Sequence, residues 1–188
     1  LERAEFLCEG LGLRKIKIAS SQIINTAMLR YLNTRADTVF LSTGMADYRE
    51  IEEALGILKG VKNKYLLHCV SEYPVPAKDA NILVMKTLSE RFNLPAGYSD
   101  HTLGNLACIA AAALGAKVIE KHFTLDKNME GTDHILSADP RELKEMIRAI
   151  REIEILLGSP EKKLTANEAK NKDSMRSRFS KAKNKRVK

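Results

Sequence analysis

Residues 96–122 decide the fold. They read Ala96-Gly97-Tyr98-Ser99-Asp100-His101, then a helix-patterned run over Asn105–Leu114, then Val118-Ile119-Glu120-Lys121-His122. Each outer piece is a short apolar run that ends in ionisable residues, and the two histidines stand 21 residues apart. Two parallel strands need a crossover of a dozen or more residues between them, so this spacing is one strand–helix–strand repeat.

The same pattern extends in the N-terminal direction. Strand-like runs occur at Lys15–Ala19, Thr38–Ser42, Tyr65–Cys69, Ala96–Ser99 and Val118–Lys121. Between them Asn25–Leu32, Tyr48–Lys59, Ala80–Arg91 and Asn105–Leu114 carry helix-spaced apolar faces. Residues 2–9 read as the end of a preceding helix, and Pro140–Leu157 as a last one. Asp47 with Glu50, and Asp139 with Glu142, are carboxylate versions of the capping box, with Pro140 at the first helical position. Gly60, Gly115 and Gly158 each follow a helix, where a left-handed cap is expected.

Regular β-α alternation calls for parallel pairing, as an open doubly wound sheet or a closed (β/α)8 barrel. The first strand–helix junction, Ala19-Ser20-Ser21-Gln22, lacks the glycines of a dinucleotide fold. Polar groups follow nearly every strand: Ser20, Ser42-Thr43, Ser71 and Tyr73, Ser99-Asp100-His101, Lys121-His122. Barrel active sites are built from those positions. The expectation is therefore an α/β fold, a partial (β/α)8 TIM barrel with a parallel sheet. A whole barrel takes about 250 residues, so the five strands are expected to be strands 4–8 with their helices. Residues 1–159 would then be the C-terminal five-eighths of the barrel and 160–188 a basic linker or tail.

Length and composition agree with an ordinary globular protein: 188 residues, 44% hydrophobic and 29% charged. No apolar stretch approaches a spanning helix. Cys8, Cys69 and Cys108 are too few and too scattered for a disulfide framework, which fits a reducing, cytoplasmic setting. The net charge of +7 is unevenly placed. Residues 160–188 hold eleven basic and three acidic groups, and residues 1–159 hold 20 and 21. A near-neutral body argues against nucleic acid as the partner.

Three groups of residues carry candidate chemistry. His101 and His122 end adjacent strands about 4.8 Å apart, close enough to share one divalent ion; capping or hydrogen bonding is the alternative role. His68, inside a strand, and His134, in a loop, read as structural. Lys17, Ser20, Ser71 and Ser99 would converge on one mouth as a cradle for phosphate or carboxylate. Lys17 lies on the strand face opposite Ile16 and Ile18. Tyr73, in Tyr73-Pro74-Val75-Pro76, and Asp133, in a glycine-bearing loop, could present polar groups to a ligand or serve packing and turn formation.

Four words occur in order: Leu41-Ser42-Thr43-Gly44-Met45, His68-Cys69-Val70-Ser71-Glu72-Tyr73-Pro74, Gly97-Tyr98-Ser99-Asp100-His101-Thr102 and Ile119-Glu120-Lys121-His122-Phe123-Thr124. Together they resemble the sialic acid synthase family, N-acetylneuraminate synthase with its legionaminate, pseudaminate and spore-coat relatives, over residues 1 to about 170. The resemblance implies condensation of phosphoenolpyruvate with an N-acetylated hexosamine of the N-acetylmannosamine type to a nine-carbon sugar acid, with release of phosphate. It implies that His101 and His122 hold a divalent metal, Mn2+ foremost, with Mg2+ or Co2+ as alternatives. Lys17, Ser20, Ser71 and Ser99 would bind phosphoenolpyruvate, and Tyr73 and Asp133 the aminosugar. Gln22 takes a catalytic position where many relatives carry a carboxylate as proton shuttle, and an amide cannot do that work. The family is commonly homodimeric and continues into an antifreeze-like C-terminal domain; residues 171–178 resemble only the linker to it.

Two other readings stand beside this one. A Schiff-base aldolase on the same fold would use Lys17 or Lys121 as nucleophile. A non-catalytic piece would bind polyanions through its basic tail. Five strands alone are expected to be inactive.

Overall fold

Strand alternation sets the two faces of the sheet. The computed structural model describes residues 1–183. In chain order the elements are α1 (Glu2–Glu5), a π-turn over Phe6–Gly10, β1 (Lys15–Ile18), α2 (Thr26–Leu32), β2 (Thr38–Ser42), α3 (Tyr48–Ile57), β3 (Asn63–His68), α4 (Val84–Phe92), β4 (Ala96–Asp100), α5 (Leu106–Ala113), β5 (Ile119–Lys121), α6 (Pro140–Leu157) and α7 (Ala166–Lys183). Five strands pair in the order β1-β2-β3-β4-β5, all parallel. A doubly wound sheet would reverse its strand order at a switch point; this one never reverses. It is a half-barrel of five parallel strands with their helices.

One face is apolar because alternate residues turn toward the helices. Ile16 and Ile18, Val39 and Leu41, and Leu66 are buried with Leu29, Leu32, Ile51, Ala54 and Leu58 from α2, α3 and the turn after α3. Further along, Ala96, Tyr98 and Ile119 pack with Met85 and Ala111. The intervening residues, Lys17, Ser42, Leu67, Ser99 and Glu120, face the other way, into the concave side. That side is strongly curved. Four strand spacings of about 4.8 Å would separate the outer strands by about 19 Å in a flat sheet. Yet Lys17 Nζ of β1 lies 3.2 Å from Glu120 Oε2 of β5.

Gly97 shows how tightly β4 and β5 meet. A Cβ there would stand 2.4 Å from the Val118 carbonyl oxygen and 2.6 Å from Leu67 Cδ2.

Both capping boxes form. Asp47 accepts from the Glu50 amide at 2.8 Å and Glu50 from the Asp47 amide at 3.0 Å; Asp139 and Glu142 do the same. Gly115 and Gly158 have the expected positive φ. Gly60 does not: it ends a 3-10 turn, and its amide donates to Asn33 Oδ1. The helix expected over Ala80–Arg91 starts later, at Val84, because Asn81 has φ +43°, outside the helical region. Asn93, with φ +49°, closes it.

Leu1–Leu156 form one compact unit and Leu157 onward a second. Within the second, the segment expected to be a linker is helical from Ala166 to Lys183, started by a capping box of Thr165 and Glu168. All three cysteines are free and buried. No helix among the described residues is long and apolar enough to cross a membrane.

Two outcomes follow from this packing. Gly97→Ala should lower the unfolding free energy in urea by about 1–3 kcal/mol, because the clash is with backbone that cannot step aside; unchanged stability would contradict the strand register. His68, as expected, is structural: it is buried, with Nε2 donating to Ala80 O at 2.9 Å. Burial pushes its pKa below the ordinary imidazole value, against the raising effect of that hydrogen bond. The unfolded chain therefore takes up a proton near pH 6.5 that the folded protein refuses until lower pH. The stabilisation is complete above about pH 6.5 and fades as pH falls below it. Urea melts at pH 7.5 and 5.5 should show a shallower pH dependence for His68→Gln than for the native chain.

Candidate active site

The loops that leave β1, β2 and β3 meet first. Ser20, in a 3-10 turn directly after β1, has its Oγ 3.4 Å from Ser71 Oγ, which follows β3. Between them lies Gly44, after β2, at φ +46°; a Cβ there would sit 2.4–2.7 Å from Ser20 Cβ and Oγ and from Ser71 Oγ. A bare backbone and two hydroxyls thus line one small concavity. Lys17, on β1, donates to Ile18 O at 3.2 Å and is ion-paired with Glu120. Cys69 is buried alongside. Burial pushes its thiol pKa up, while the Gly44 backbone, the Ser42 and Ser20 hydroxyls and the Lys17 charge pull the other way. A buried, protonated thiol is an inert wall rather than a nucleophile.

The ends of β4 and β5 form the adjoining group. The rings of His101 and His122 are 5.3 Å apart and nearly perpendicular. Tyr73 packs on both, at 4.2 Å from His101 and 5.9 Å from His122. His101 is buried, and its Nδ1 donates to Val70 O at 2.7 Å. That bond fixes the neutral tautomer with a lone pair on Nε2. Burial lowers the His101 pKa, with the neighbouring His122 acting in the same direction against the Val70 bond. His122 Nδ1 lies 3.8 Å from Asp133 Oδ2, the loop carboxylate expected to reach this mouth.

Glu120 joins the two groups. Its carboxylate pairs with Lys17 on one side, and its charge acts on both His101 and Tyr73 on the other. Sequence reading missed it; the signal available was that Glu120 alternates with Ile119 and Lys121 and so shares a face with His122. Ser99, its register partner on β4, is buried on the same concave face.

Two residues fall elsewhere. Gln22 is exposed, its Oε1 accepting from Asn25 Nδ2 at 2.9 Å within its own turn. Lys121 points to the helix side of β5, its side chain 3% exposed and paired with Asp100 at 2.8 Å. It is not a nucleophile at the mouth.

The imidazole pair suits a divalent ion. Ring centroids 5.3 Å apart leave the two imidazoles close enough to share one ion. The ring nitrogen of His101 away from the site is held by a carbonyl, as metal-binding histidines commonly are. Among the described residues no group of three or more His, Cys, Asp or Glu converges on one point.

Several known proteins are similar to this chain in sequence or in fold. An uncharacterized protein of Methanocaldococcus jannaschii is 55% identical over 81% of the chain and 46% of its own length. The N,N'-diacetyllegionaminic acid synthase of Campylobacter jejuni is 48% identical over 91% of the chain and 52% of its own length. In structure, the N-acetylneuraminic acid (sialic acid) synthetase of Leptospira borgpetersenii, crystallised with citrate, superposes with a TM-score of 0.80 at 36% identity, covering 90% of this chain and 59% of that one. The chain spans about half the length of the curated relatives it matches. The sequence model of the NeuB family matches residues 1–162, and the chain belongs to that family.

Proposed function

We propose that the protein is a sugar-acid synthase, condensing phosphoenolpyruvate with an N-acetylated hexosamine of the N-acetylmannosamine type and releasing phosphate. The observation that carries this reading is the adjacency of two unlike subsites. A hydroxyl-and-ammonium cradle built by Lys17, Ser20, Gly44 and Ser71 meets an imidazole pair roofed by Tyr73.

Each residue then has a task. Lys17 and the hydroxyls of Ser20, Ser71 and Ser99 bind the phosphate and carboxylate of phosphoenolpyruvate, which requires Lys17 to exchange Glu120 for the incoming anion. Tyr73, packed against the imidazoles, and Asp133, beside His122, hold sugar hydroxyls. His101 and His122 hold a divalent cation of the Mn2+ type, which when bound supplies Lewis acidity for the sugar aldehyde. The enol carbon forms the new C–C bond, and the aldehyde oxygen takes up a proton. Water captures the cationic carbon left behind, and phosphate departs by C–O cleavage. Burial of His101 keeps its Nε2 lone pair free at neutral pH, which is the form that ligation needs.

The Schiff-base alternative loses one of its two candidates, since Lys121 is buried on the far side of β5. Lys17, the other candidate, is engaged in its ion pair with Glu120.

Activity of the complete protein is the test. Phosphate release from phosphoenolpyruvate should require N-acetylmannosamine or a related N-acetylated hexosamine, vanish with chelator and return with Mn2+. His122→Ala should lower the rate at least about 100-fold, the scale of losing one preorganised electrostatic group. Full activity in chelator, or covalent trapping of pyruvate on Lys17 by borohydride, would overturn the reading.

A further inference from the structure

Behind the imidazoles, on the helix side of the sheet, lies a buried polar cluster that the proposed chemistry does not use. Asp100 and Lys121 are register partners on β4 and β5. Their side chains are 0% and 3% exposed, with Lys121 Nζ 2.8 Å from Asp100 Oδ2. The same ammonium donates to Thr102 O at 2.5 Å. Asp100 Oδ1 accepts from the Thr102 amide at 2.9 Å, and Oδ2 also accepts from Cys108 Sγ of α5 at 3.3 Å.

As a stability device this cluster is a poor bargain. Burying two charges costs about as much as their attraction returns, and apolar replacements of such pairs are often neutral or stabilising. What such a pair does well is specify geometry. Here the geometry is local. The carboxylate and the ammonium grip residues 100 and 102, the two neighbours of His101. Lys121 is itself the residue before His122. On the opposite face, the His101 carbonyl accepts from the Val75 amide at 2.9 Å and its ring donates to Val70 O. The backbone at His101 is thus held from both sides of the sheet, and the helix-side grip also fixes the start of the loop carrying His122.

We infer that Asp100 and Lys121 are positioning residues: their buried ion pair sets the mutual placement of the His101 and His122 rings. This rests on the proposed function only in what the imidazoles are for; their placement can be read without a metal.

The test is a charge-free double variant, Asp100→Leu with Lys121→Met, which leaves no uncompensated charge in the interior. Proton NMR of metal-free protein reads the imidazoles directly. The native chain should give ring-to-ring cross-relaxation between His101 and His122, and a His101 Nδ1 proton protected by its bond to Val70. The folded double variant, checked by circular dichroism, should lose the inter-ring signal and at least 10-fold of that protection. Lys121→Arg, which keeps the charge and the donors, should retain both. If the double variant does not fold, Lys121→Gln is read the same way, since it keeps a donor for Thr102 but loses the pairing charge. Imidazole signatures unchanged in the double variant, or in Lys121→Gln where the double variant does not fold, would overturn the inference. Mn2+ affinity, measured separately, should fall about 10- to 100-fold in the same variants. An intact imidazole effect with no Mn2+ binding by the native protein would remove the proposed metal role and leave the positioning role standing.

Discussion

The placement of the two imidazoles depends on the register between β4 and β5, and the buried pair of Asp100 and Lys121 sits at that junction. A slip of one residue along a strand sends that strand's side chains to the opposite faces. On β4 it would turn His101 into the helix layer and Asp100 to the concave side, and on β5 it would do the same to His122 and Lys121. Gly97 tightens the same constraint from below, because only a residue without Cβ lets the Val118 carbonyl approach this closely. The site is therefore a consequence of strand pairing, with loops supplying what the strand ends cannot.

Curvature is the second requirement. The two subsites come from opposite edges of the sheet, and Lys17 and Glu120 touch because five singly wound strands curl enough to bring those edges face to face. Their ion pair leaves the cationic cradle and the imidazole pair contiguous, with Glu120 influencing both. A flat sheet bearing the same side chains would present two unrelated surfaces.

Much of this was legible in the sequence because it depends on period and local chemistry. Strand alternation placed Lys17 opposite Ile16 and Ile18, the repeat length brought His101 next to His122, and the Asp47 and Asp139 boxes fixed two helix starts. What escaped depended on partners distant in the chain. Glu120 reads as an ordinary strand carboxylate until β1 is known to curl toward it. Lys121 reads as one of the ionisable strand ends, yet its parity along β5 sends it into the helix layer toward Asp100. Gly60 follows a helix as a cap would, but its role is set by Asn33, which needs the space a side chain would fill. The helical segment Ala166–Lys183 was obscured by its composition: it is polar on all sides and lacks the apolar stripe by which helices are recognised.

The central claim is that two imidazoles from adjacent strand ends form one divalent-cation site beside an anion cradle. Titration with Mn2+ followed by electron paramagnetic resonance tests it most directly, because free and bound ion give distinct signals whatever the reaction. The account predicts a single site in the native protein that weakens at least 10-fold in His101→Ala and again in His122→Ala. Equal Mn2+ uptake by the native protein and both variants, or none by any of them, would contradict it.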